Sequence, residues 1–96
     1  ELGCLAIDHR SRQVRVHGVP VHLSVREYEL AAKLASDPHR VFTKSELLRD
    51  VWNFQTMGRT RTLDSHASRL RRKLDPDGGR FVVNVWGVGY RFLAPE

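Results

Sequence analysis

The chain has 96 residues, 41% of them apolar and 28% charged, with sixteen Lys and Arg against eleven Asp and Glu and a formal net charge of +5. That length holds one domain with a single modest core and excludes two, and the ordinary apolar and charged fractions argue against a disordered chain. A pI near 10.1 favours a polyanionic partner.

Cys4 is the only cysteine, so no internal disulfide forms, packing must hold the fold, and a reducing cytoplasm is the expected location. No run approaches the roughly 18 apolar residues of a membrane-spanning helix. The chain starts at Glu1 rather than Met, and a piece of a longer protein is expected. His9, His17, His22, His39 and His66 lack ligand-like spacing and cysteine partners, so they read as structural or surface residues and no metal or other cofactor is expected.

Leu2 to Ile7, Gln13 to Val16 and Val19 to Leu23 are short runs rich in β-branched residues, separated by the turn-prone Asp8-His9-Arg10-Ser11 and His17-Gly18. They predict a small antiparallel sheet with Val14, Val16, Val19, Val21 and Leu23 facing inward. Ser24-Val25-Arg26-Glu27 is a capping box that opens a helix to about Ser36, with Tyr28, Ala31, Leu34 and Ala35 as its apolar stripe and Asp37-Pro38 as its stop. Val41-Phe42 reads as a short extended piece. Thr43-Lys44-Ser45-Glu46 then caps a second helix through Leu47, Leu48, Val51 and Trp52.

Trp52 to Gly58 has no clear period and reads as a loop, in which Phe54 and Met57 either tuck into the core or offer a sticky surface to a protein partner. The stretch that follows, Arg59 to Leu74, carries Arg59, Arg61, Arg69, Arg71, Arg72 and Lys73 against Asp64 alone. The remaining bases and acids cancel, so the whole surplus belongs to this segment. At about 100° per residue, Leu63, Ala67, Leu70 and Leu74 fall on one arc of a helix and Arg61, Ser65, Ser68, Arg69 and Arg72 roughly opposite. One reading is an ordinary amphipathic helix with a solvated basic face. The mixture of Arg with short Ser, Thr and His donors favours phosphates and base edges. An anionic membrane is the weaker partner, because the helix lacks a Trp/Phe/Leu-rich insertion face.

Asp75 to Gly79 is a dense turn signal, and Arg80 to Leu93 reads as a hairpin around Trp86-Gly87-Val88-Gly89. Phe81, Val83 and Val85 share one face of its first strand, as Tyr90 and Phe92 do of its second, and the two glycines are expected to supply positive φ at the tip. Strands, three helices and a hairpin in this order predict an α+β winged helix-turn-helix. No catalytic residues are identified. Ser65 and His66 are adjacent and diverge on a helix, and neither a nucleophile elbow nor paired carboxylates occur.

The runs R-T-L-D-S-H-A-S-R-L-R-R-K-L at 61–74 and V-W-G-V-G-Y-R-F at 85–92, with the cap at 24–28, V-F-T-K-S-E-L-L at 41–48 and V-W at 51–52, resemble the effector domains of OmpR/PhoB-family response regulators across essentially the whole chain. The resemblance implies an N-terminal four-stranded antiparallel sheet, a three-helix core and a C-terminal β-hairpin wing, making residues 1–96 one DNA-binding domain. It further implies a two-component transcription factor whose receiver domain precedes Glu1, homodimers on direct repeats in promoter DNA, and RNA polymerase as a partner. The loop Trp52, Asn53, Phe54, Gln55, Thr56, Met57 and Gly58 matches the family's polymerase contact.

Combined with helix geometry, the family pattern places Arg61, Thr62 and His66 near phosphates and Ser65 and Arg69 at base edges, with Arg69 the first candidate for a bidentate guanine contact. Arg71, Arg72 and Lys73 supply charge near the backbone, and Arg59 is a further DNA-binding candidate. Asp64 is expected to orient a neighbouring Arg or to stabilise the helix N-terminus. Two other readings stand beside this one: a winged-helix module whose basic helix binds an acidic protein, and an effector whose regulator lacks a phosphorylatable receiver.

One departure concerns the wing. Many relatives place an arginine at its tip, and this chain has Trp86, whose indole packs on a sugar or helps bury the hairpin but supplies no charge to a minor groove. Arg80 and Arg91 are substitutes at different positions. A Trp86→Arg variant is expected to steepen the salt dependence of duplex binding by about one counterion; an unchanged slope in a salt titration counts against this account.

Overall fold

The computed structural model describes residues 4–53, 60–76 and 80–93. β1 (Leu5–Asp8), β2 (Gln13–Val16) and β3 (Val19–Val21) form an antiparallel sheet in that order. The first turn starts where Asp8 Oδ1 accepts the N–H groups of Arg10 at 2.9 Å and Ser11 at 3.4 Å. The second is a two-residue connection in which His17 and Gly18 both have positive φ, 53° and 77°, matching the twist of the strands it joins. Val14 pairs with Val21 and Val16 with Val19, so these four share a face as expected. Only Val14 is fully buried, and Val19 is 62% exposed, because the hairpin end projects past the core. Among the described residues this sheet has three strands rather than the four that the resemblance implied, because the next strand in the chain pairs with the C-terminal hairpin instead.

α1 (Val25–Ala35) and α2 (Lys44–Trp52) begin at the two capping boxes. Ser24 Oγ accepts from Glu27 N–H at 3.2 Å while Glu27 Oε1 accepts from Ser24 N–H at 2.9 Å, and Thr43 and Glu46 repeat the exchange. Asn53 closes α2 in the left-handed region, at φ 60° and ψ 28°. Trp52, expected both as the end of this helix and as the start of the loop, is the last helical residue and is buried; positions 54–58 of the expected polymerase-contact loop lie outside the described residues. α3 (Thr60–Leu74) buries Leu63, Ala67, Leu70 and Leu74 as its periodicity requires. The α1–α2 pair is fastened by Arg26, which donates to the Val51 carbonyl at 2.9 Å, and by Lys33 with Asp50 at 3.0 Å.

The extended piece before α2 becomes β4 (Phe42–Thr43), which joins β5 (Phe81–Val85) and β6 (Gly89–Leu93) in an antiparallel sheet ordered β4-β6-β5. Leu30, Leu34, Leu47, Leu48, Leu63 and Leu70 from the helices meet Leu5 and Val14 of the first sheet and Phe42 and Phe92 of the second in one core. Strict alternation in β5 fails at Val82, whose φ of 57° turns Phe81 and Val82 both inward while Val83 and Val85 stay half-buried. Phe81 thereby reaches the Phe92 ring, with centroids 5.7 Å apart.

Of the two wing glycines only Gly87 has positive φ, 77°, in the turn closed by Val88 N–H donating to the Val85 carbonyl at 3.0 Å. Gly89 serves a different purpose. A β-carbon there would lie 2.9 Å from the Phe42 carbonyl carbon and from Thr43 Cα, and closer still to the Phe42 oxygen. Only glycine lets β6 approach β4. Gly89→Ala is expected to cost more than about 2 kcal/mol by forcing the sheet apart, whereas Gly87→Ala, in open space, costs about 1 kcal/mol for its positive φ. Urea unfolding of the two variants measures the order.

Candidate nucleic-acid interface

The helical repeat divides the exposed surface of α3 into a central stripe and two flanks. Arg61, Ser65, Ser68 and Arg72 form the stripe, and together with Thr60, Asp64 and Arg69 they line an open concavity. Thr62, His66, Arg69 and Lys73 descend toward α1 and α2. Asp64 and Arg71 descend toward the wing. The expected site residues are thus divided among three environments; Arg59 lies outside the described residues.

On the α1 side, the carboxylate of Glu27 is 2% exposed and collects charge from α3. Lys73 Nζ lies 2.7 Å from Oε1 and Arg69 Nε 3.5 Å from Oε2. Burial pushes the Glu27 carboxyl up, but hydrogen bonds from Lys73 and the Ser24 N–H, with the charges of Lys73 and Arg69, hold it below its ordinary value. His66 Nδ1 donates to the Thr62 carbonyl at 2.8 Å, and its ring stands edge-on to Trp52 with centroids 5.1 Å apart. Among the described residues the other ring nitrogen, Nε2, has no hydrogen-bond partner. His66 and Lys73 therefore have packing roles that helix periodicity did not reveal.

On the wing side, Asp64 has Tyr90 and Lys44, rather than an arginine, as its hydrogen-bond and ion-pair partners among the described residues. Its Oδ1 accepts from Tyr90 Oη at 2.6 Å and pairs with Lys44 Nζ at 3.2 Å, linking α3 to β6 and to the first turn of α2. Burial raises the Tyr90 phenol, and the Asp64 contact raises it further, so the phenol stays a donor. Lys44, Asp64, Ala67, Ser68, Arg71, Asn84, Trp86 and Tyr90 line a second groove between α3 and the wing. Trp86 at its rim is 88% exposed and does not bury the hairpin. Arg80 donates its backbone N–H to Asp75 Oδ2 at 2.6 Å, while Arg91 lies opposite Val83 in the hairpin ladder.

Glu27, Lys44, Asn84 and Tyr90 are parts of this surface that sequence reasoning missed. Glu27 and Lys44 carried only a capping signal, and Tyr90 and Asn84 only strand alternation; which elements face one another is not written in either.

A basic helix flanked by a docked hairpin, its core face buried and its stripe of Arg and Ser free, defines the winged helix-turn-helix class. Residues 18–92 match the family described as "Transcriptional regulatory protein, C terminal", and the chain belongs to it, the OmpR/PhoB-type response-regulator effector domains. The transcriptional regulatory protein ResD of Bacillus subtilis is 43% identical over 91 residues, covering 92% of this chain and 38% of that protein. SrrA of Staphylococcus aureus is 40% identical over 91 residues, with the same coverage of 92% and 38%. The chain thus spans about two fifths of the curated relatives it matches. Among solved structures, the Klebsiella pneumoniae RstA DNA-binding domain in complex with the RstA box superposes with a TM-score of 0.88 at 31% identity, covering 100% of this chain and 96% of that one. The AdeR DNA-binding domain in complex with an intercistronic region gives 0.83 at 34% identity and 96% of both chains.

The Glu27 contacts imply a pH dependence. A carboxyl whose folded-state pKa is depressed stabilises the fold above its unfolded value, ordinarily 4.5, and the contribution is lost as pH falls through the folded value. Glu27→Gln is expected to lower stability at neutral pH by about 2 kcal/mol, with the difference from wild type shrinking as the medium is acidified below that range. Urea unfolding as a function of pH checks both statements.

Proposed function

We propose that residues 1–96 form one effector domain that binds double-stranded DNA sequence-specifically, with α3 in the major groove and the β5–β6 hairpin alongside. The observation that carries this reading is the concavity on α3 lined by Arg61, Ser65, Ser68, Arg69 and Arg72. It combines forked cationic donors with short hydroxyls on a rigid helix, the chemistry that reads base edges and grips phosphates. Arg69 and Ser65 take base edges, Arg61, Thr62 and His66 take phosphates, and Arg71 and Arg72 supply charge near the backbone. Lys73, tied to Glu27, contributes mainly field. Trp86 stacks on sugar at the wing.

Within a full-length protein the same domain serves a two-component response regulator that controls transcription in the cytoplasm. A receiver domain precedes it, homodimers occupy direct repeats, and the segment after α2 contacts RNA polymerase. What supports this wider reading is membership of the family and the sequence identity to ResD and SrrA.

The test is competition binding between a duplex selected by this chain from a randomised pool and a random-sequence duplex, over a range of salt. Arg69→Ala is expected to cost about 1–3 kcal/mol on the selected duplex and to relax preference at one base pair. Arg61→Ala is expected to weaken both duplexes alike and to lower the salt slope by about one. If no duplex is selected above the salt-sensitive background, the acidic-protein reading replaces this one.

A further inference from the structure

Arg69 and Lys73 leave α3 on the side that meets α1, and both end at one buried carboxylate. Its two oxygens are used differently. Oε1 of Glu27 accepts from the Ser24 N–H at 2.9 Å and from Lys73 Nζ at 2.7 Å, so capping of α1 and an α3 lysine fix the group twice. Oε2 faces Arg69 Nε at 3.5 Å. Among the described residues the Arg69 guanidinium makes no other hydrogen bond or ion pair, and its side chain remains 47% exposed beside Arg61, Ser65, Ser68 and Arg72.

A guanidinium presents five N–H donors in a planar fork. Ion-paired at its Nε edge, it keeps the terminal Nη pair for an end-on contact, whose spacing matches the O6 and N7 acceptors of guanine in the major groove. Fixing the side chain before DNA arrives also reduces the freedom lost on binding. We propose that Glu27 is a positioning residue for base recognition: from the first turn of α1 its carboxylate holds Arg69 by the Nε edge and presents the Nη pair to a guanine. The proposal rests on Arg69 being the base-reading side chain. Net stabilisation of the charged carboxyl over its burial cost keeps the acceptor available at neutral pH.

The informative variant is Glu27→Gln. Its amide oxygen can retain the Ser24 and Lys73 contacts at Oε1, which places the amide nitrogen at the Oε2 position, a donor confronting the Nε–H donor of Arg69. Capping is preserved while the arginine is released. Affinities for the selected and the random-sequence duplex are measured for wild type, Glu27→Gln, Arg69→Ala and the double variant. The expected result is a loss of about tenfold in the selected-to-random ratio for Glu27→Gln, with random-duplex affinity not reduced and no further loss of the ratio on adding Glu27→Gln to Arg69→Ala. An equal loss on both duplexes, or additive losses in the double variant, overturns the proposal and leaves the base-reading role of Arg69 intact. An Arg69→Ala variant with an undiminished ratio removes that role, and the positioning role with it. Independently of any variant, nitrogen relaxation in the free wild-type chain is expected to find the Arg69 Nε–H more ordered than that of Arg72; equal mobility also overturns the proposal.

Discussion

The buried carboxylate of Glu27 is the point at which the first helix and the basic helix are joined. It caps α1, meets Lys73 and Arg69 of α3, and is almost wholly removed from solvent. An isolated carboxylate there would be expensive, and two cations with a backbone donor make it tolerable. The exchange has a directional consequence. Apolar packing of Leu63, Ala67, Leu70 and Leu74 fixes how deep α3 sits, whereas charged contacts to a single acid restrict its rotation, because turning the helix would carry Lys73 and Arg69 away from their partner.

The wing is held by contacts of a different kind. Glycine at position 89 lets β6 lie against β4, and β4 leads directly into α2, so the hairpin is tied to the helix that precedes α3 in the chain. Tyr90 then reaches Asp64 on α3, with Lys44 of α2 completing the cluster. One acid on each flank of α3 meets a neighbouring element: Glu27 from α1 on one side, Asp64 toward the wing on the other. The stripe between them, Arg61, Ser65, Ser68 and Arg72, is left to face outward. Its two arginines, Arg61 and Arg72, are in no ion pair among the described residues, whereas Arg69 and Lys73 are paired with Glu27, so the stripe presents unpaired positive charge to a polyanion.

Much of the fold was legible in the residues. Two capping boxes set the starts of α1 and α2, a 3.6-residue period marked the buried arc of α3, and the hairpin followed from alternation around Gly87. The failures have particular causes. Trp52 read as both helix end and loop start because the left-handed Asn53 that ends α2 has no unique sequence mark. Val19 read as core because alternation gives a face and not the extent of what covers it. The inward turn of both Phe81 and Val82 depends on a backbone conformation uncommon for a β-branched residue.

The sequence by itself determined where the charge lies, which arc of α3 is apolar and where the first two helices begin, since each is a local property of residue type and spacing. Only the tertiary structure decided which strand β4 joins, why Gly89 must be glycine, and which polar groups are committed to the protein itself. Those outcomes depend on residues distant in the chain, Glu27 with Lys73 and Asp64 with Tyr90, and no local pattern encodes the approach of one element to another.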